Sequence, residues 1–108
     1  MLYPKLQSQN KALPRYRSDH ICVHFRGKDL AIDHAGMNEL LCVGLAAHMA
    51  VIAGVRPGNL RWLDEARDFV WRDRNGTTMH LDAYGMAALH RTTAREIARQ
   101  HSHPAAYI

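Results

Sequence analysis

One internal repeat constrains this chain more than any other feature. Gly27–Leu40 aligns without a gap on Gly76–Leu89, and five of the fourteen positions are identical: Gly27/Gly76, Asp33/Asp82, Gly36/Gly85, Met37/Met86 and Leu40/Leu89. An apolar pair with period two, Leu30/Ile32 and Met79/Leu81, recurs in the same register. The identities fall on turn, cap and core positions, so the chain holds two copies of one supersecondary unit. Each unit is about half the protein, which makes this a duplication inside one domain and not a solenoid. At 108 residues the chain has length for a single modest core.

The two copies read alike. Ile21, Val23 and Phe25 alternate along a strand. Arg26-Gly27 makes a tight turn, Leu30-Ala31-Ile32 returns, and Asp33 is a helix N-cap whose carboxylate accepts an orphan N–H of the first turn. The helix then runs from His34 to about Ala53 and stops at Gly54. In the second copy Phe69–Arg72 is a strand, Asn75-Gly76 a hairpin signal, Thr77–Leu81 the returning strand, Asp82 the cap, and Ala83 to about Gln100 the helix. The second turn, Asp73–Gly76, is the longer one. Val55-Arg56-Pro57-Gly58-Asn59 breaks the chain between the units, and Leu60–Arg67 reads as a short helical turn with Leu60 and Leu63 facing inward. The expected fold is α+β. Duplicated ββα units, about 20–54 and 68–100, build a four-stranded antiparallel sheet with two helices on one face, related by a pseudo-two-fold.

The helices differ. The second is amphipathic, with Met86, Leu89, Thr93 and Ile97 on one stripe and Arg91, Arg95, Glu96 and Arg99 elsewhere. The first is apolar on nearly all sides, through Met37, Leu40, Leu41, Val43, Leu45, Met49, Val51 and Ile52, and such a helix needs cover all round. A domain this small offers too little, so Leu41, Val43, Leu45, Met49 and Ile52 are the expected oligomer or partner interface. The run Leu40–Val55, interrupted by Gly44, His48 and Gly54, is short for a membrane span and reads as a buried helix; no membrane partner is expected. Gly44 aligns with Thr93, and a small residue in each helix permits close approach.

Charge is segregated. The net charge of +4 lies in residues 1–18, which hold Lys5, Lys11, Arg15 and Arg17 and no acid; the remainder balances ten basic against ten acidic side chains. The chain therefore reads as a basic extended arm, residues 1–18, ahead of a neutral domain, 19–108. Lys5, Lys11, Arg15, Tyr16 and Arg17 are the arm's candidate contacts with a partner. Met1–Lys5 lacks the apolar centre of a signal peptide. Two cysteines, Cys22 and Cys42, make no disulfide framework and suit a reducing compartment.

Chemistry is sparse. His20, Cys22 and His24 share one face of a strand and are zinc-type ligands, but three ligands along a straight strand converge poorly on one ion, and no metal or other cofactor is expected. Asp33 and Asp82 repeat with the fold as caps, which takes precedence over paired acid–base work. The chain has no phosphate-cradling glycine loop and no nucleophile with an evident base. The expectation is a non-enzymatic protein. Arg91, Arg95 and Arg99 form one helical face that would suit phosphates, the basis of a nucleic-acid alternative.

The second half resembles a known family. Trp71-Arg72-Asp73-Arg74-Asn75-Gly76, Thr77–Ala83 and Gly85-Met86-Ala87-Ala88-Leu89, followed by an Ala/Arg helix, are similar to an uncharacterised domain of bacteriophage tail-fibre and tail-fibre-assembly proteins. Gly27–Leu40 resembles its upstream portion, so the likeness spans roughly residues 20–108. The long helical N-terminal part of many such proteins has no counterpart here, where only the basic arm stands. The resemblance implies a virion tail protein, made in the host cytoplasm, that is a structural component of the tail fibre or baseplate or attaches to it. It carries over no catalytic residue. The alternatives are a tail-fibre assembly chaperone and a small phage nucleic-acid-binding or regulatory protein acting on a host complex.

Overall fold

A computed structural model describes residues 20–102. The elements follow in the order β1 (His20–Phe25), β2 (Lys28–Asp33), α1 (His34–Ile52), β3 (Val70–Arg72), β4 (Thr78–His80) and α2 (Ala83–Ser102). Both copies of the repeat are thus hairpin-then-helix units. In the first hairpin Phe25 pairs with Lys28 across a two-residue turn. Arg26 and Gly27 both take positive φ there, +50° and +81°, the mirror-image turn whose twist matches that of the strands. In the second hairpin Arg72 pairs with Thr78, so five residues, 73–77, form the longer turn.

The four strands do not join. They form two separate two-stranded sheets, β1–β2 and β3–β4, which corrects the expected four-stranded sheet with two helices on one face. The reason lies at Ala31. Antiparallel pairing alternates hydrogen-bonded and non-bonded positions, and Ala31, opposite Cys22, turns its N–H and C=O away from β1. A third strand would bond there. Instead the Ala31 N–H donates to Asp73 Oδ2 at 2.9 Å, and the Ala31 carbonyl accepts from the Arg74 N–H at 3.0 Å. A carboxylate and one loop amide take the place of a strand edge. Asp73 is buried, and its Oδ1 also accepts the N–H groups of Asn75 and Thr77, at 2.9 and 2.7 Å.

The two units share one core. Val23, Phe25, Leu30, Ile32 and Leu40 of the first copy pack in a single cluster with Trp71, Leu81, Met86 and Leu89 of the second. Trp71, Leu30, Leu40, Met86 and Leu89 are fully enclosed. The alternation on β1 is as read, with Val23 and Phe25 inward and Cys22 and His24 outward. Helix α2 packs on both α1 and β1, which interlocks the copies.

Each helix begins on its aspartate. Asp33 Oδ1 accepts the Gly36 N–H at 2.8 Å, and Asp82 Oδ1 accepts the Gly85 N–H at 2.7 Å. Asp82 does more than its counterpart, because its Oδ2 accepts the Gly58 N–H at 2.7 Å and so fastens the connection between the units. That connection is pinned further by Trp62 Nε1–H donating to the Leu81 carbonyl at 2.9 Å and Tyr84 O–H donating to the Val55 carbonyl at 2.8 Å. Trp62 also meets Phe69 edge to face, centroids 5.2 Å apart. Residues 60–67 form turns and bends, not the expected helical turn. Leu63 is exposed, because the indole of Trp62 provides the inward anchor.

Candidate functional site

Helix α1 is buried along Leu40, Gly44 and Ala47, with Met37, Val43, Ala50 and Val51 half-buried against the core beside them. At 100° per residue these lie on one side of the cylinder, and the opposite side carries Leu41, Leu45, Met49 and Ile52, which are 54%, 59%, 61% and 85% exposed. The reading of Leu40–Val55 as a buried helix holds on one face only; the other, where an oligomer or partner interface is expected, is open in the single chain. Glu39 is the helix's only charged residue, so from Leu40 to Ile52 the open face is bare of charge. Val43 does not belong with it. Val43 is half-buried and packs against the core, because two residues from Leu41 or Leu45 is more than half a helical turn. By length and composition α1 is also apolar enough to cross a membrane, with mean hydropathy 1.5.

The second copy provides an internal comparison. In the register that places Leu40 on Leu89, the positions of Leu41, Leu45, Met49 and Ile52 are held in α2 by His90, Ala94, Ala98 and His101. Two copies of one unit thus carry large apolar side chains at these positions in one helix and small or polar ones in the other. Folding requirements common to both units do not account for the apolar set in α1.

Gly44 of α1 faces His90 of α2. A Cβ on Gly44 would stand 2.5 Å from His90 Cδ2, so only glycine admits the ring. Beside it His48 Nε2 and His90 Nδ1 are 3.2 Å apart, with the rings edge to face at 5.1 Å. A hydrogen bond across this gap needs one N–H and one lone pair, so the facing nitrogens are not both protonated. The pKa of His90 is lowered, first by burial, then by His48 and then by Arg91. The sequence offered no signal for this pair, since His90 occupies the repeat position of Leu41.

The other candidates are spread apart. His20, Cys22 and His24 do share the outer face of β1, but His24 Nδ1 bonds Asp29 Oδ1 at 2.8 Å and His20 Nδ1 accepts from Arg74 Nη1 at 2.9 Å. Among the described residues no group of three or more His, Cys, Asp or Glu is placed to hold a metal ion. Arg91, Arg95 and Arg99 are exposed on α2. Arg99 is engaged by Glu96, which accepts from its Nε at 3.1 Å and from Nη2, and which also accepts from Gln100 at 2.9 Å. Those contacts hold the Glu96 carboxyl below its usual range, Arg99 first and Gln100 second. An open depression of about 420 Å³ lies at Leu63, Asp64, Arg67, Asp68, Phe69 and Val70. Its charges are paired, Arg67 with Asp64 at 3.5 Å and Asp68 with Arg61 at 3.2 Å, which leaves no poised acid or base. The arm candidates Lys5, Lys11, Arg15, Tyr16 and Arg17 lie outside the described residues.

No family model, curated protein or solved structure matches the chain.

Proposed function

We propose that the chain is a non-enzymatic protein of a bacteriophage tail, a component of or attachment factor for the fibre or baseplate, that works through protein–protein contact at the open face of α1. The observation that carries the interaction reading is the stripe Leu41, Leu45, Met49 and Ile52. It is exposed on a folded domain whose core is already complete. Contiguous apolar surface of this kind on a soluble domain marks a contact site. The tail setting rests on the likeness of residues 20–108 to tail-fibre and tail-fibre-assembly domains.

The test is quantitative mass spectrometry of purified particles from the phage or prophage that encodes the chain. The chain is expected at a fixed ratio to the tail proteins. Leu41→Asp/Leu45→Asp, both at exposed positions, is expected to remain folded and to drop out of the particle. Absence of the wild-type chain from particles with intact tails overturns the structural role.

A further inference from the structure

We infer that His48 and His90 together bind one Zn²⁺ ion across the joint between α1 and α2. The inference is independent of the tail role proposed above. It starts from the separation of the facing nitrogens: His48 Nε2 and His90 Nδ1 are 3.2 Å apart. Two imidazole nitrogens, each about 2.0–2.1 Å from one tetrahedral zinc, stand about 3.3–3.4 Å apart. The pair therefore already has close to the spacing of two ligands on one ion. His48 is one turn beyond Gly44 on α1, and the ring of His90 lies where a Cβ on Gly44 would collide with it. The two donors come from chain positions 42 apart and stand on helices packed against each other, so the fold itself sets the distance.

The donors select the ion. Each neutral imidazole has one N–H and one lone pair. With the N–H of each ring on its outer nitrogen, His48 Nδ1 and His90 Nε2, both inner lone pairs are free for the ion. The ring that held its proton inward shifts it to its own outer nitrogen, so no proton leaves the pair. Burial, His48 and Arg91 keep the pKa of His90 low, which favours the neutral, ligating form. Among the described residues no third His, Cys, Asp or Glu joins the pair, and the positive charge of Arg91 opposes an ion held by charge alone. Ca²⁺ and Mg²⁺, which seek oxygen ligands, do not fit. Imidazole suits Zn²⁺. Both rings are half-buried, which leaves a solvent side where waters complete the coordination.

The repeat gives a second reason to single out this pair. In the register that sets Leu40 on Leu89, the counterparts of His48 and His90 are Ile97 and Leu41. The unit does not need imidazole at either position to fold, yet at this joint both positions hold it.

Zinc titration of the full untagged chain at neutral pH, followed on its imidazole ¹⁵N resonances and by thermal unfolding, tests the inference. One zinc per chain is expected, with the largest shifts at His48 Nε2 and His90 Nδ1. The thermal midpoint should rise with zinc and not with magnesium, because an ion bound to the folded chain stabilises it. His48→Gln and His90→Gln should each abolish that rise, measured against the variant's own zinc-free midpoint, and His20→Gln/His24→Gln should leave it intact. The resonance shifts of the wild-type chain read out even if a variant fails to fold. Rings of His48 and His90 that do not respond to excess zinc overturn the proposal and leave a simple hydrogen-bonded pair. So do shifts confined to other histidines, or a midpoint rise that survives in both single variants.

Discussion

Asp73 shows how one side chain decides a topology. Its carboxylate accepts three backbone N–H groups, those of Ala31, Asn75 and Thr77, so it closes its own turn and fastens the second hairpin to the first. Hydrogen bonds to a buried charged acceptor are the strong ones, and orphaned amides are costly. Asp73→Ala should lower the stability to urea unfolding by about 3 kcal/mol. Asp73→Asn should lose less, because the amide oxygen still closes the turn. The asparagine NH2 would face the Ala31 N–H, donor to donor, and that one amide should lose its protection from hydrogen exchange. Equal losses for the two variants would remove the carboxylate's linking role. In the sequence this residue stands in Asp-Arg-Asn-Gly, which reads as a turn and nothing more. Its second oxygen finds Ala31 only once the chain has folded back over more than forty residues.

At the level of elements, the repeat announced two hairpin-helix units, and both exist with their caps on the aspartates it singled out. The caps are not equal. Asp33 serves its helix, whereas Asp82 serves its helix and also Gly58. Asp33→Ala should cost about 1 kcal/mol. Asp82→Ala should cost the more of the two, up to about 2 kcal/mol. Asp82→Ser separates the roles: it retains a cap and releases the Gly58 amide, whose exchange should quicken while helical content holds. Chemical denaturation beside amide exchange checks all three, and an Asp33 loss as large as that of Asp82 would refute the division. Helix α1 shows the limit of reading an element by composition. Its apolar residues surround the axis, and no periodicity told which of them the domain covers. Val43 was grouped with Leu41 and Leu45 for that reason, and the packing separates them.

For the whole molecule, the joint between the copies carries the only pH response visible at the interface of α1 and α2 among the described residues. Burial, His48 and Arg91 hold the pKa of His90 below its ordinary value. The unfolded chain therefore binds more protons near that value than the folded one, and stability rises with pH there. The contribution is complete above the ordinary histidine pKa of about 6.5 and is lost as pH falls from there through the lower folded-state value. Thermal midpoints should decline as pH falls below the ordinary histidine value of about 6.5. His48→Gln, which removes one of the charges acting on His90, should flatten the decline. An equal slope in wild type and variant would place the titration elsewhere.

Strand alternation, the tight first turn and the longer second one, the caps and the amphipathic stripe of α2 were all legible in the order of the residues. They depend on contacts within a few positions of the chain, where local periodicity and backbone preference decide. The joining of the hairpins by Asp73, the fit of His90 on Gly44, the Trp62 anchor and the division of α1 into covered and open faces were not legible. Each pairs groups far apart in sequence, and the energy that selects one pairing over another arises only when the core has formed. The sequence by itself determined two copies of a ββα unit. The tertiary structure decided that the copies interlock through one core and a buried carboxylate instead of one sheet, and that α1 keeps an apolar face in the open.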